Sequence, residues 1–180
     1  LNSIYNNKNF KSFINLIKTF LNLYKSKYRD ETEFEKLKIK SFTNNFEKTR
    51  KILFLDIVKK VYVYYENYIK MENKIDFDDM ILKATDCIDN VQGFNYKYII
   101  VDEFQDISFS RMQFLKKLIE KGNSKLFAVG DDWQAIYRFE GCDLDIFLNF
   151  EKYFGYSNIS YITLTYRNSQ ELQSIVGDFI

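Results

Sequence analysis

Asp102 and Glu103 close an apolar run, Tyr98-Ile99-Ile100-Val101, and Phe104-Gln105-Asp106 follows, so three carboxylates crowd the end of a strand-type segment. In an open α/β sheet, ligands bind at the carboxyl ends of the strands. One carboxylate there can hold Mg²⁺ while its neighbour orients or deprotonates an attacking water during phosphoryl transfer. The plain alternative is a buried strand followed by a solvated acidic turn, because short motifs match by chance.

Two further segments share this form. Leu126-Phe127-Ala128-Val129 leads into Gly130-Asp131-Asp132-Trp133-Gln134-Ala135-Ile136-Tyr137-Arg138-Phe139-Glu140-Gly141. Gly130 permits a sharp turn or a close backbone approach. The Gln134 amide suits hydrogen bonding to a terminal phosphate, and Tyr137 and Phe139 offer faces for stacked bases. In a chain with 18% aromatics, a core aromatic pair is the competing explanation of those two rings. Tyr161-Ile162-Thr163-Leu164-Thr165 forms a third strand-type run and ends in Tyr166-Arg167-Asn168. Arg167 can stabilise charge on a transferring phosphate, and Tyr166 can stack on a purine.

In this order and spacing the segments resemble the first motor domain of superfamily 1 DNA helicases of the UvrD/Rep/PcrA type. Val101-Asp102-Glu103-Phe104-Gln105-Asp106 stands as motif II, the Walker B element. Val129 to Phe139 stands as motif III, and Leu164-Thr165-Tyr166-Arg167-Asn168-Ser169 as motif IV. Asp76-Phe77-Asp78-Asp79-Met80-Ile81 is similar to the segment that returns from that family's inserted helical subdomain. Trp133 in motif III further resembles the helicase IV branch.

The resemblance implies an ATP-dependent DNA helicase of 3′-to-5′ polarity, with a role in DNA repair. It implies an α/β, P-loop NTPase (RecA-like) parallel-sheet portion with helices on both faces, preceded by a mostly helical inserted subdomain. The division falls at 1–75 for the helical part and 76–180 for the motor part. The cofactors implied are ATP and Mg²⁺, and the partners are single-stranded DNA and duplex junctions, with repair or transcription proteins. Asp102 and Glu103 would serve the metal, with Glu103 the catalytic base. Gln105, Asp106 and Tyr166 would belong to the nucleotide site, Gln134 would sense the γ-phosphate, and Arg167 would be the arginine finger. Tyr137 and Phe139 would meet DNA. Glu140 departs from relatives that are basic at that position; a carboxylate repels a phosphate backbone, so it is assigned no DNA contact.

The largest departure is the absence of any Gly-x-x-x-x-Gly-Lys-Ser/Thr loop, whose amides and lysine cradle phosphates in P-loop enzymes. The expectation is a piece of a longer chain that by itself binds ATP poorly and hydrolyses none. Two other readings stay open for the parent: a UvrD-like ATPase acting as a partner-binding switch on RNA polymerase or a repair complex, and the motor of a helicase-nuclease. A purely structural module does not call for Asp-Glu, Gln and Arg at three successive strand ends.

Positioning these residues is the work of a chain whose 46% hydrophobic content suffices for a core. Zero histidines disfavour zinc and histidine-based hydrolysis, and Cys87 and Cys142 have neither metal nor disulfide spacing. With no signal-like or membrane-length apolar run, a cytoplasmic location is expected. Residues 1–75 hold 16 Lys+Arg against 8 Asp+Glu, and residues 76–180 hold 10 against 17. The basic part can attract a DNA backbone, or its lysines simply solvate helix faces.

Helical periodicity places Phe13, Leu16, Ile17, Phe20, Leu21 and Tyr24 on one stripe. Ile52, Leu55, Val58, Tyr62, Tyr65 and Ile69 form another, with a further charged helix within 30–46. From Lys97 the pattern alternates strand and helix. One helix, Arg111 to Lys121, is capped by Ser108 or Ser110, buries Met112, Leu115, Leu118 and Ile119, and stops at Gly122. A last helix is capped by Asp143, uses Leu144, Phe147 and Leu148, and ends at Gly155.

Overall fold

The computed structural model describes residues 8–27, 31–39, 44–135, 141–164, 166–167, 169, 171–172 and 175. Three helices open it: α1 (Lys8–Lys25), α2 (Glu33–Ile39) and α3 (Asn45–Met71). Asn44 caps α3 by accepting from the Glu47 N–H, which satisfies a donor the helix itself leaves free. The apolar stripes of α1 and α3 close around Phe34 of α2, which is fully buried with Tyr24, Leu55, Val58 and Tyr62. Tyr24 stacks on Phe34 with ring centroids 4.1 Å apart. The charged stretch after α1 thus holds its helix through Phe34, with Leu37 packed against the same core. Leu16, expected on the buried stripe, is 54% exposed. It lies at the edge of α1, whose inward contacts are made by Ile17, Phe20 and Leu21.

The chain then enters α4 (Phe77–Cys87) through a capping box. The Asp76 side chain accepts from the Asp79 N–H, and the Asp79 carboxylate accepts from the Asp76 N–H. The strands β1 (Tyr98–Val101) and β2 (Lys125–Ala128) pair in parallel, with Tyr98 opposite Lys125 and Val101 opposite Ala128. Between them runs α5 (Phe109–Gly122), capped by Ser108 through the Arg111 N–H. Met112 and Leu115 are buried and Leu118 and Ile119 half-buried. The helix includes Gly122, and the left-handed residue that ends it is Asn123 at φ 48°. Asparagine tolerates that conformation. Gly122 serves close packing instead, since a Cβ there would stand 2.8 Å from the Phe94 ring.

Three further expectations change. The helix after Asp143 is two, α6 (Leu144–Leu148) and α7 (Phe150–Phe154), because Asn149 leaves helical geometry at φ −111° and ψ 43°. Residues 161–164 form no strand; Tyr161, Ile162 and Leu164 are 84%, 90% and 72% exposed. A strand needs a ladder partner, and local β-propensity does not supply one. Helices also cover only one face of the sheet among the described residues. Ile99, Val101, Leu126 and Ala128 pack into a second core with Phe104, Ile107, Met112, Leu115 and Ile146, whereas Tyr98, Ile100 and Phe127 on the other face stay exposed.

The two cores are joined around Lys25, which is 6% exposed. Its ammonium donates to Glu66 Oε1 at 2.6 Å, Asp76 Oδ2 at 2.6 Å and Asp79 Oδ1 at 3.1 Å. The Tyr65 hydroxyl donates to the same Asp76 oxygen at 2.9 Å. The next residue continues the seam: the Ser110 N–H donates to the Ser26 carbonyl at 3.1 Å. Gly141, at φ 90°, lies against Ser26 where any Cβ would collide.

Burial by itself lowers the Lys25 ammonium's pKa, but its hydrogen bonds to Asp76, Glu66 and Asp79 outweigh it and hold the group above the ordinary lysine range. Burial and the bond to Asp76 push the Tyr65 hydroxyl up to about 12. Burial raises Asp76, and the Asp79 N–H and Lys25 more than reverse that, leaving it below the usual carboxylate value.

The signs of these shifts set a stability profile. Lys25 contributes fully below its unfolded value, about 10.4, and loses its contribution as pH rises through the higher folded value. Asp76 contributes above its unfolded value, about 3.9, and loses its contribution as pH falls through the lower folded value. Urea unfolding is therefore expected to show a plateau from about pH 5 to pH 10, with losses on both sides. Lys25→Met removes the only cation bonded to these three carboxylates among the described residues, so it should cost about 3 kcal/mol at neutral pH and reduce the alkaline loss. An unchanged unfolding midpoint in that variant would show the cluster to be incidental.

Candidate nucleotide and metal site

Parallel pairing brings the ends of β1 and β2 side by side. The ladder runs past both strands: the Val129 N–H donates to the Val101 carbonyl, and the Phe104 N–H donates to the Val129 carbonyl, each at 2.9 Å. The carboxylate turn after β1 and the glycine turn after β2 are thereby fixed against each other. Phe104 anchors the first turn, 1% exposed, with its ring 5.4 Å from Phe150 and 5.8 Å from Phe154.

Asp102 and Glu103 project from the end of β1 and are exposed. The Glu103 N–H donates to Asp102 Oδ1 at 2.9 Å, and Glu103 adopts the left-handed conformation at φ 50° and ψ 44°. A non-glycine residue pays for that conformation, and it persists only where its surroundings dictate it. Here the buried Phe104 and the ladder bond to Val129 dictate it. A 3₁₀ turn, Phe104–Asp106, follows directly.

Gln105 is 2% exposed. Its Nε2 donates to Glu103 Oε2 at 2.7 Å, and its Oε1 accepts the Asp131 N–H at 3.0 Å. The Asp131 carboxylate in turn accepts the Trp133 N–H at 3.1 Å and Gln134 Nε2 at 2.8 Å, capping a 3₁₀ turn over Asp132–Gln134. Gly130 makes the approach possible. A Cβ there would stand 2.6 Å from Gln105 Oε1, 2.8 Å from the Phe147 ring and 3.1 Å from the Gln105 backbone nitrogen.

The structure thus gathers Asp102, Glu103, Gln105, Asp106 and Gln134 at one sheet edge. Gln105, assigned to the nucleotide from the sequence, has its amide engaged by protein at both ends. Tyr166 and Arg167 are exposed in a bend at 166–167, without the strand expected before them. Tyr137 and Phe139 lie outside the described residues. Asp131 was missed in the sequence as a site residue; its signal was an acid directly after the glycine and two residues before a backbone N–H that needs a cap.

Exposed carboxylates at a strand end are the oxygen donors a hard divalent cation takes. Asp106 Oδ1, farther along the same turn, is buried without a hydrogen-bond partner among the described residues. Asp102 and Glu103 therefore offer the oxygen chemistry Mg²⁺ takes, although these two and Asp106 do not bring three carboxylate oxygens within 4.8 Å of one another. A second acidic group, Glu66, Asp76 and Asp79, has its oxygens within 4.8 Å of one another, but the Lys25 ammonium already bonds to all three.

The family model for the UvrD/REP helicase N-terminal domain matches residues 2–155. The chain is 39% identical over 119 residues to DNA helicase IV of Escherichia coli K12, covering 64% of the chain and 17% of that protein. It is 37% identical over 129 residues to a probable DNA helicase II homolog of Mycoplasma capricolum, covering 67% of the chain and 17% of that protein. It is 31% identical over 130 residues to the ATP-dependent DNA helicase PcrA of Bacillus subtilis, covering 69% of the chain and 18% of that protein. The chain thus spans less than a fifth of the length of these curated relatives.

Gly130→Ala tests the packing at the turn. The added methyl displaces Gln105 or Phe147, and overpacking of this kind costs about 1 to 3 kcal/mol. Thermal unfolding of the variant should show a lower Tm; an unaltered Tm would mean that the turn has room to spare.

Proposed function

The chain belongs to the UvrD/REP helicase N-terminal domain family, and from that premise we propose that it supplies part of the ATP-hydrolysing centre of a DNA helicase that moves 3′ to 5′ on single-stranded DNA. The observation that carries this reading is the junction of the two strand-end turns. It places a strained, exposed Glu103 in hydrogen-bonded continuity with Gln134. Residues 1–75 are assigned to the helical insert and 76–180 to the first motor domain, a division supported by their separate cores. A cytoplasmic location belongs to this proposal.

Asp102, with Glu103 next in the chain, would hold Mg²⁺, which when bound supplies positive charge toward the phosphate oxygens, and Asp106 would belong to the nucleotide site. Glu103 would accept the proton of the attacking water, and its exposed carboxylate leaves that water access. Gln134, exposed at its turn, would donate to the terminal phosphate. Tyr166 would stack on the adenine and Arg167 would face the developing phosphate charge. Both stand exposed, and the second motor domain of such an enzyme would complete their surroundings. Tyr137 and Phe139 would stack on DNA bases a few residues beyond Gln134, so one short segment would touch both ligands.

Two experiments on the complete parent protein test this. ATP hydrolysis should be stimulated by single-stranded DNA and vanish in Glu103→Gln while nucleotide binding persists; turnover retained in that variant would remove Glu103 from the role of base. DNA-independent turnover in the unaltered protein would instead favour the partner-binding switch. Phe139→Ala should weaken single-stranded DNA binding by about 1 to 3 kcal/mol, and an unchanged affinity would return that ring to the core.

A further inference from the structure

Glu103 is exposed and bears a flexible side chain, yet a base must be aimed at its water. Its carboxylate is reached by the Gln105 amide at 2.7 Å, and Gln105 is itself immobilised by burial. The chemistry at the two ends of that amide fixes its orientation. The Asp131 N–H can only donate and the Glu103 carboxylate can only accept, so Oε1 must face the first and Nε2 the second. Among side chains of this length, only glutamine supplies an acceptor and a donor together. From Asp131 the connection continues through its carboxylate to Gln134 Nε2 at 2.8 Å.

We propose that Gln105 is a positioning residue that aims Glu103 and, through Asp131, ties that aim to the placement of Gln134. The inference rests on the reading of Glu103 as base and Gln134 as the phosphate-facing amide, and it adds a specific device: a four-residue hydrogen-bond chain across two strand ends. When Gln134 shifts to meet a phosphate, the Asp131 turn shifts with it, and the pull is delivered to the Glu103 carboxylate. Hydrolysis is then favoured only when Gln134 has found its phosphate. Asp131 has no direct contact with ligand in this scheme and acts solely through its neighbours.

The test uses the complete parent protein with saturating single-stranded DNA. Gln105→Glu keeps the acceptor for the Asp131 N–H but sets a carboxylate against Glu103. Asp131→Ala keeps the backbone N–H for Gln105 and cuts the link to Gln134. Each should lower kcat by about 10- to 100-fold while KM for ATP changes less than about 3-fold, the signature of a lost aim rather than lost binding. Combining Gln105→Glu with Gln134→Ala should cost less than the product of the two single losses, because the second cut falls on a chain already broken. An unaltered kcat in both single variants, or strictly multiplicative losses in the double, overturns the proposal. Should Gln105→Glu fail to fold, Asp131→Ala at the half-buried turn decides: kcat lost at constant KM supports the relay, and normal kcat reduces Gln105 to packing. Glu103→Gln runs in parallel. Turnover surviving there defeats the underlying reading, whereas its loss together with normal Gln105→Glu and Asp131→Ala defeats the relay alone.

Discussion

Parallel pairing of Tyr98–Val101 with Lys125–Ala128 is the constraint from which the rest of the sheet part follows. Parallel strands need a crossover, and α5 supplies it, burying Met112 and Leu115 against the sheet face formed by Ile99, Val101, Leu126 and Ala128. The same parallel sense sends both strand ends toward one edge. Two turns that are 28 residues apart from Asp102 to Gly130 in the chain then share backbone hydrogen bonds through Val129. An antiparallel pairing would put the carboxylates and the glycine turn at opposite ends and leave no site.

Strain at that edge is tolerated because the surroundings overdetermine it. Glu103 in the left-handed region is bracketed by Val101 in the ladder and by Phe104 in an aromatic nest with Phe147, Phe150 and Phe154. The nest exists because the chain after Asp143 breaks at Asn149 into two short helices, which lets both present rings to the same turn. Local irregularity in one segment thus supports strain in another.

A different physics joins the helical part to the sheet part. Lys25, from the end of α1, is buried among three carboxylates that belong to α3 and to the capping box of α4. Burying a charge is unfavourable unless its hydrogen bonds are complete, and here all three ammonium protons find carboxylate oxygens. Such a joint is specific about geometry in a way an apolar contact is not, because each carboxylate must arrive from its own element. The direction from which the chain enters α4 is set accordingly.

Much of this architecture was legible in the residues. The helical stripes ending at Tyr24 and Ile69 stop within two residues of the C-terminal ends of α1 and α3, Ser108 and Asp143 announced caps, and the Asp-Glu and Gly-Asp-Asp clusters marked the strand ends where the candidate site lies. Those features depend on neighbours close in sequence, through hydrogen bonds and side-chain repeats that a short window contains. The burial of Gln105, the left-handed Glu103, the Lys25 cluster and the exposure of Tyr161 to Leu164 were not legible. Each is settled by partners far along the chain: Asp131 for Gln105, Val129 for the turn at Glu103, Asp76 and Asp79 for Lys25, and a ladder partner for the run at 161–164. By itself the sequence determined which segments carry carboxylates, amide and aromatics, and their family; only the tertiary structure decided which of those groups face solvent and which are spent on one another, because that choice is made by long-range contacts that no local pattern encodes.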